Sequence, residues 1–391
     1  MKEIVIAGAV RTAIADFGGA LRALPPLDLA QHVMGEVITR SHVQLEWIDK
    51  VIFGCCFGPV EQNIARNAAY NAGIPKEAPG FTINSTCGSS MQAIISAIQS
   101  IQCGESHLVL AGGVESMSNA PYVMESARWG QRLRHAEVCD LVWKGMQEPI
   151  IGVGMGLTAE NLAEKYQISR QEQDAFALLS HQRAAKAIAE GNFVKEIAPV
   201  TIPGRKGAPI VFDTDEHPRP DTSLEGLAKL PPIFKKDGTV TAGNACGMND
   251  AASAVVVVER EKAKELGLKP LAHIKEYHVA GVDPDIMGIG PVPAIQGALK
   301  KAKLKLGDVD RFEINEAFAA QYLACEKELG LDRDKVNIYG NGIALGHPVG
   351  ATGCRLVVTL LHGLLADQLN LGIASLCAGG GMGFALVLER L

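Results

Sequence analysis

A cysteine separates a short apolar strand from a helix in Phe81-Thr-Ile-Asn-Ser-Thr-Cys87-Gly-Ser-Ser-Met-Gln-Ala-Ile-Ile-Ser-Ala-Ile-Gln-Ser-Ile101. Beyond the cysteine, apolar residues recur at the i, i+3, i+4 spacing of an amphipathic helix: Met91, Ile94, Ile95, Ile98 and Ile101. Ser85 or Thr86 is in position to cap the start of this helix. The pattern predicts a strand, a turn that carries Cys87, and a buried helix.

Cys87 is therefore expected at the positive end of a helix. Unpaired N–H groups and the helix dipole favour a thiolate over a thiol, which predicts a nucleophile. The alternative is a buried, inert cysteine. Residues much further along the chain decide between the two readings.

The composition is that of a globular protein of two or three domains. The chain has 391 residues, of which 47% are hydrophobic and 20% charged, with 42 glycines. The formal net charge of −6 argues against a general nucleic-acid binder. Nine cysteines without a framework spacing or a zinc-type cluster predict a reducing, cytoplasmic location and no metal site. No uninterrupted apolar run is long enough for a membrane span, and the first residues resemble a strand rather than a signal peptide.

Strand-like and helix-like segments alternate through residues 1–119, which predicts an N-terminal α/β half with a largely parallel sheet. Residues 120–248 are more irregular and indicate an insertion, with one confident helix that opens on the capping box Ser169-Arg-Gln-Glu172. In the same segment, the basic pairs Arg205-Lys206 and Lys235-Lys236 are interpreted as solvated. Residues 249–268 complete the first half, and residues 269–391 form a second α/β half.

The two halves resemble each other. Leu45-Glu-Trp-Ile-Asp-Lys-Val-Ile-Phe matches Leu306-Gly-Asp-Val-Asp-Arg-Phe-Glu-Ile, and the aspartates precede Cys87 by 38 residues and His347 by 37. Each half then has a helix and a strand that ends in glycines. A duplicated unit folded twice would bring equivalent turns together about a pseudo-twofold axis. Cys87 and His347 are thus expected to meet at the domain interface, a usual location for a ligand cleft.

Four motifs together resemble the signatures of the thiolases, the acetyl-CoA acetyltransferase family. They are Asn84-Ser-Thr-Cys-Gly-Ser-Ser, Asn315-Glu-Ala-Phe-Ala-Ala-Gln321, Gly342-Ile-Ala-Leu-Gly-His-Pro-Val-Gly-Ala-Thr-Gly353 and Cys377-Ala-Gly-Gly-Gly-Met-Gly383. The resemblance covers the whole chain. It implies a five-layered αβαβα fold of two related domains, with an inserted loop domain that binds coenzyme A, and a homotetramer built as a dimer of dimers.

The resemblance also implies roles for five residues. Cys87 attacks a thioester carbonyl, and His347 takes its proton. Cys377 removes the proton next to a second thioester, which a Claisen condensation requires and a hydrolase does not. The Asn315 amide and the backbone N–H groups of Cys87 and Gly379 stabilise oxyanions. Structural alternatives remain for His347 as a turn histidine, for Asn315 as a helix cap and for Cys377 as a buried thiol.

Coenzyme A is the implied co-substrate, and no permanently bound cofactor is expected. By resemblance, the residues that contact it or the acyl group are Arg219, Phe234, Ala242, Cys246 and Met155. The sequence departs from the family pattern at Gly154, Gly226 and Cys246, and at Asn341 in Tyr339-Gly-Asn-Gly. Because Cys246 and Asn341 are expected near the acyl end, these departures predict tolerance of acyl chains beyond acetoacetyl.

The predicted activity is reversible condensation of acyl-CoA with acetyl-CoA, with acetyl-CoA acetyltransferase as the first reading. A 3-ketoacyl-CoA thiolase of broader chain range, in fatty-acid or aromatic-acid degradation, is the alternative. A ketoacyl synthase would lack the terminal Cys-x-Gly-Gly-Gly-x-Gly motif, and a non-catalytic subunit would have lost Cys87, His347 or Cys377. The expected partners are acyl-CoA substrates, without nucleic acid or membrane.

Overall fold

The computed structural model describes residues 2–58, 62–133, 135–204 and 207–391. The strands within these ranges are β1 Ile4–Arg11, β2 Ala15–Asp16, β3 Lys50–Gly54, β4 Gly80–Ile83, β5 Leu108–Ser116, β6 Tyr122–Val123, β7 Cys139–Asp140, β8 Gln147–Glu148, β9 Val153–Gly154, β10 Val200–Ile202, β11 Ile210–Phe212, β12 Asn249–Glu259, β13 Ala272–Gly281, β14 Arg311–Ile314, β15 Leu371–Ala378 and β16 Met382–Arg390. The helices are α1 Pro26–Ser41, α2 Ile64–Asn71, α3 Ser89–Gln102, α4 Leu141–Gly145, α5 Met155–Lys165, α6 Arg170–Ala189, α7 Leu224–Ala228, α8 Arg260–Glu265, α9 Pro291–Ala302, α10 Ala319–Leu329, α11 Gly342–Leu345 and α12 Val349–Ala366.

Ten strands form one mixed sheet. Its order is β14-β15-β16-β13-β1-β12-β5-β3-β4, and β2 pairs with β12. Strands β4, β3 and β5 are parallel to one another, as are β14 and β15, whereas β12 runs antiparallel between β1 and β5. The two halves of the sheet join where β1 pairs with β13, through Val5–His273 and Ile6–Ala272.

Successive side chains of a strand point to opposite faces of the sheet. The apolar side chains on the two faces therefore belong to separate cores, and three such cores define five layers. On β5, Leu108 and Leu110 face a core with α1 and α2, whereas Val109 and Ala111 face a central core with α3 and α12. The central core also takes Leu376 from the second half of the sheet. A third core packs the far side of that half against α9 and α10. The order helix, sheet, helix, sheet, helix agrees with the expected fold.

The internal duplication is visible in matching hydrogen bonds. Asp49 Oδ2 accepts from the N–H groups of His107 and Leu108 at 2.7 and 3.0 Å, just before β5. Asp310 Oδ2 accepts from Asn370 and Leu371 at 2.9 Å each, just before β15. The repeated aspartate therefore has the same task in both halves, since it fixes the start of the parallel strand that follows the central helix.

The segment between β5 and β12 contains α4 to α7 and three two-stranded sheets, β6-β7, β8-β9 and β10-β11. The predicted capping box of α6 is present, with Ser169 and Glu172 each accepting from the other's backbone N–H. Lys235 is exposed and pairs with Glu164 at 3.1 Å, whereas Arg205-Lys206 lies outside the described residues. The division into domains at residues 119, 248 and 268 stays a prediction.

Helix α12 corrects one expectation. It is long and apolar enough to cross a membrane by length and composition, although it contains Arg355. Of its 18 residues, 78% are buried within the protein, as is typical of a core helix. The buried face predicted for α3 is confirmed, since Met91, Ile94, Ile95, Ile98 and Ile101 are at most 2% exposed.

Candidate active site

Cys87 lies in the tight turn between β4 and α3. Thr86 adopts the left-handed conformation (φ +50°), and the N–H groups of Gly88 and Ser89 donate to the carbonyls of Ser85 and Thr86 at 3.1 Å each. Gly88 is the N-cap residue of α3 and makes no side-chain cap. The predicted side-chain cap by Ser85 or Thr86 is therefore wrong, because the Thr86 hydroxyl instead lies 2.8 Å from the Ser85 carbonyl oxygen and 3.1 Å from that of Gly379.

The Cys87 sulfur is a thiol at rest. The backbone N–H groups of Gly379 and of Cys87 itself face the sulfur and lower its pKa, but burial outweighs them and raises the pKa to about 11. The N–H groups therefore favour the thiolate in the expected direction, but burial has the larger and opposite effect. Removal of this proton needs a base when a substrate binds.

Two further thiols share the environment of Cys87. Cys377, at the end of β15, is 1% exposed, and burial followed by the charge of Cys87 raises its pKa well above the usual value. Burial and Cys87 also raise the pKa of Cys246 to about 12. The N–H of Cys246 donates to the Ala317 carbonyl at 3.0 Å, in the loop that follows Asn315. Cys87, Cys246 and Cys377 therefore form one electrostatically coupled cluster.

His347 lies between α11 and α12 and presents an unpaired nitrogen. Its N–H donates to Asn249 Oδ1 at 2.9 Å, and its Nδ1 lies 2.7 Å from Thr352 Oγ1. Nε2 is buried, with no hydrogen-bond partner among the described residues. Burial, reinforced by the charge of Arg355, lowers the pKa of His347 to about 3, so the ring is neutral and Nε2 is available to accept a proton.

Asn315 directly follows β14 and is fully buried. Its N–H donates to the Ser375 carbonyl at 2.9 Å, but neither side-chain amide atom has a partner within the described part of the chain. The neighbouring Glu316 accepts from Ser180 Oγ at 2.6 Å and Asn337 Nδ2 at 2.8 Å. Glu316 therefore fixes the turn and leaves the Asn315 amide free for a ligand.

Cys87 and His347 stand before the first turns of α3 and α12, two helices that pack together. The N–H of Cys354 in α12 donates to Ser90 Oγ in α3 at 2.9 Å. Glu115, at the end of β5, accepts from the N–H groups of Gly350 at 2.8 Å and Cys56 at 3.1 Å. The two turns, equivalent in the duplication, are thus brought to the same end of the central layer.

The five residues predicted to contact coenzyme A fall into two groups. Met155 borders the site, since its Cε lies 3.1 Å from where a Cβ on Gly379 would stand, and Cys246 belongs to the thiol cluster. Phe234 is 38% exposed and packs edge-to-face on Phe318 at 6.0 Å. Ala242 and Arg219 are exposed; the Arg219 N–H donates to His181 Nδ1 at 3.2 Å, and no described contact joins Arg219 to the thiols.

Asn341 does not line the site as expected. It is fully buried, and its amide donates to Glu313 Oε2 at 2.6 Å and accepts from Arg355 Nη2 at 2.7 Å. Gly154, in contrast, has open space around it, because a Cβ there would meet only Gln147, at 3.6 Å and beyond.

The sequence analysis missed three supporting residues. Thr352 contacts His347, Asn249 binds the His347 backbone, and buried Glu148 accepts from the Gly380 N–H at 2.6 Å, beside the Gly379 turn. Thr352 lies within the quoted histidine motif, so its position five residues after His347 was a usable signal. Asn249 and Glu148 are distant in sequence from their partners and carry no local signal.

The chain is similar to known proteins along nearly its whole length. Residues 4–261 match the family model "Thiolase, N-terminal domain" and residues 268–390 match "Thiolase, C-terminal domain". An acetyl-CoA acetyltransferase of Syntrophomonas wolfei is 49% identical over 396 residues, and the beta-ketothiolase BktB of Cupriavidus necator is 48% identical over 393; each alignment covers 100% of both chains.

Solved structures are equally similar. The acetyl-CoA acetyltransferase of Bacillus anthracis superposes with a TM-score of 0.98 at 54% identity, covering 100% of this chain and 99% of that one. Human mitochondrial 3-ketoacyl-CoA thiolase in complex with CoA has a TM-score of 0.95 at 43% identity, covering 100% and 98%. With both family models matched along nearly its whole length, the chain belongs to the thiolase family.

Proposed function

We propose that this protein is an acyl-CoA C-acyltransferase that joins an acyl group to acetyl-CoA, and reverses the reaction by thiolysis, through an acyl-enzyme on Cys87. Acetyl-CoA acetyltransferase is the first assignment, in keeping with the names of its relatives. The observation that carries the proposal is the placement of two thiols near each other, the partly buried Cys87, which faces the Gly379 N–H, and the buried Cys377. A hydrolase or a simple acyl carrier needs only the first of these thiols.

In the first half-reaction, the Cys87 thiol gives its proton to His347 Nε2 as the sulfur attacks the thioester carbonyl. The backbone N–H groups of Cys87 and Gly379 stabilise the oxyanion, and each such donor typically lowers the barrier by about 3–4 kcal/mol. The C–S bond to coenzyme A then breaks, and the leaving thiolate takes the proton back from His347. The enzyme is left with an acylated Cys87 and a neutral imidazole.

In the second half-reaction, the neutral His347 first takes the proton of the Cys377 thiol, and the resulting thiolate removes the proton next to the thioester of acetyl-CoA. The carbanion attacks the acyl carbon on Cys87, and the Cys87–acyl bond breaks to release 3-ketoacyl-CoA. The Cys87 thiolate then takes the proton from His347, so both thiols and the neutral imidazole are restored. The Asn315 amide donates to the developing enolate oxygen, directly or through a water. In thiolysis the same steps run backwards, and the Cys377 thiol protonates the departing carbanion.

Coenzyme A is proposed as co-substrate rather than as a permanently held cofactor. Arg219 would face its nucleotide, and Phe234, Ala242, Met155 and Cys246 its pantetheine and acyl ends. The space around Gly154 favours the second candidate, a 3-ketoacyl-CoA thiolase that also accepts chains beyond acetoacetyl. One extra methylene changes discrimination by about 1–3 kcal/mol, so the preference should be graded. A cytoplasmic homotetramer completes the proposal.

The test separates the two thiols. Cys377→Ala should still form an acyl-enzyme from acetyl-CoA, seen as an acetyl mass increase on the Cys87 peptide, because acylation needs no carbanion. Condensation and thiolysis should fall on the order of 10²–10⁴-fold, as expected for loss of a positioned acid–base group. Cys325→Ala is the matched control, since Cys325 is a buried thiol on α10 that bonds to Gln321 and Gly288.

Two results would oppose the proposal. One is loss of acyl-enzyme formation in Cys377→Ala, and the other is overall turnover near wild type in that variant.

A further inference from the structure

The contact between His347 and Thr352 fixes more than the position of the ring. Thr352 Oγ1 lies 2.7 Å from His347 Nδ1 and 2.9 Å from the carbonyl oxygen of Pro348. Thr352 is fully buried and His347 is 5% exposed, so water does not compete freely for these atoms. The three groups form a short chain of hydrogen bonds at the start of α12.

Proton counting allows two directions for this chain. In the first, the single proton of the Thr352 hydroxyl is donated to the Pro348 carbonyl, which only accepts. The hydroxyl oxygen must then accept from His347, which requires a proton on Nδ1. Nε2 is left with its lone pair directed into the site.

The opposite direction is less favourable. If Thr352 donated to Nδ1, the neutral ring would carry its proton on Nε2. That N–H would be buried with no acceptor among the residues described in the structure. Orphaned buried N–H groups are rarer in proteins than acceptors with a free lone pair. The observed geometry therefore selects the tautomer in which Nε2 is a base.

We propose that Thr352 is a positioning residue that holds His347 in the Nδ1–H tautomer, so that Nε2 accepts the Cys87 proton. The catalytic part of this inference rests on the proposed function. During acylation His347 becomes an imidazolium, with protons on both nitrogens, and Nδ1–H continues to donate to Thr352. The hydroxyl thus supports both the neutral ring and the charged ring.

Substitution separates this role from simple packing. Thr352→Val keeps the shape but removes the acceptor, and Thr352→Ser keeps the hydroxyl. The rate of Cys87 acylation and kcat for thiolysis should fall about 10–100-fold in Thr352→Val, with KM nearly unchanged, and should largely recover in Thr352→Ser. The matched control is Thr359→Val, on the same helix, where the hydroxyl contacts Glu196 at 3.0 Å and does not contact His347.

A second measurement reads the tautomer itself in the wild-type enzyme. Nitrogen NMR of protein labelled with ¹⁵N-histidine should show His347 protonated at Nδ1 and bare at Nε2, with the signal assigned by its loss in His347→Asn. An Nε2–H tautomer would overturn the inference, as would a Thr352→Val enzyme that acylates at the wild-type rate. Failure of the wild type to form any acyl-enzyme would overturn the proposed function instead, and the NMR result would still decide the tautomer.

Discussion

At the residue scale, the two groups of the proposed proton transfer, the Cys87 thiol and the His347 imidazole, are both neutral before a substrate binds. Burial holds the pKa of the thiol at about 11 and that of the imidazole at about 3. Neither side chain gains or loses a proton at a pH between these two values, so the thiol and the imidazole both stay uncharged across the neutral pH range. Proton transfer must accompany attack rather than precede it.

This pairing predicts an unusual pH dependence for alkylation of Cys87. Inactivation by iodoacetamide, a neutral reagent, should be nearly independent of pH from about 5 to 9, because His347 accepts the proton throughout. In His347→Asn the rate should be low and should rise about tenfold per pH unit, since only the thiolate then reacts. The measurement is the rate of activity loss, with labelling of the Cys87 peptide checked by mass spectrometry.

The exposed Cys103 supplies an internal reference for ordinary thiol reactivity in the same samples. A wild-type profile that rises in parallel with Cys103 labelling would contradict the neutral pair.

The candidate site could be predicted from sequence in its residue types but not in its protonation states. Cys87 and the glycine-flanked His347 each lie in a short sequence motif, and these motifs were sufficient to select them as candidate site residues. Burial of the Cys87 sulfur depends on strands and loops far away in the chain. A local rule therefore gave the wrong direction for its pKa. Asn341 failed for the same reason, because its partners Glu313 and Arg355 come from β14 and α12.

At the element scale, small residues allow α3 and α12 to cross closely. A Cβ on Gly353 would stand 2.6 Å from the backbone nitrogen of Met91, and one on Gly113 would stand 2.2 Å from the Gly350 carbonyl. Backbone atoms cannot give way as a flexible side chain can. Gly353 thus sets the distance of α12 from α3, and Gly113 sets its distance from β5; Cys87 and His347 lie in the turns that precede the two helices.

We expect Gly353→Ala to destabilise the protein by about 1–3 kcal/mol through overpacking, despite the better helix propensity of alanine. Acylation of Cys87 should fall as well, because α12 and His347 would shift away from α3. Chemical denaturation and acyl-enzyme mass spectrometry measure the two effects. Gly35→Ala, in α1, is the control: nothing lies within 4 Å of its Cβ position, so it should be neutral or stabilising. Equal effects of both substitutions would refute the close-crossing argument.

Most elements could be predicted because their signals are local. The capping box of α6 and the apolar stripe of α3 each lie within a few residues of sequence. The cap of α3 could not be predicted, since the left-handed Thr86 redirects the side chains that the pattern had assigned to capping. Turn geometry of this kind is fixed by the contacts of the folded site.

At the scale of the whole molecule, buried charges tie the inserted segment to the sheet. Arg11, on β1, is fully buried and donates to both carboxylate oxygens of Asp215 at 2.7 and 2.8 Å and to Glu196 at 2.6 Å. The repeated aspartates of the predicted duplication, Asp49 and Asp310, make matching hydrogen bonds in the two parts of the sheet. The joining of both halves in one sheet through β1 and β13 had no sequence signal, since it depends on register between distant strands.

The inserted segment also exposes large apolar side chains, which bear on the proposed tetramer. Trp129 is 88% exposed, Leu133 82% and Trp143 64%, and Tyr122 and Ile150 are similarly open. Large patches of exposed apolar surface are rare on monomeric proteins and often mark protein–protein interfaces. The sheet ends at β4, whose Phe81 is 43% exposed, and this end offers a separate surface for a first dimer contact.

If the inserted segment joins two dimers, then Trp129→Ser combined with Leu133→Ser should convert tetramers to dimers. The double substitution removes two large apolar side chains per subunit from the contact. Their loss should weaken association by about 3–6 kcal/mol, which raises Kd by about 10²–10⁴-fold. Light scattering after size-exclusion chromatography gives the mass directly.

Val194→Ser is the control, because Val194 is 74% exposed at a different site after α6 and should leave the mass unchanged. Acyl-enzyme formation on Cys87 should persist in the dimers, because the Gly379 N–H that faces the Cys87 sulfur belongs to the same chain as Cys87. A double variant that keeps the wild-type mass at low concentration would exclude this segment as the tetramer contact.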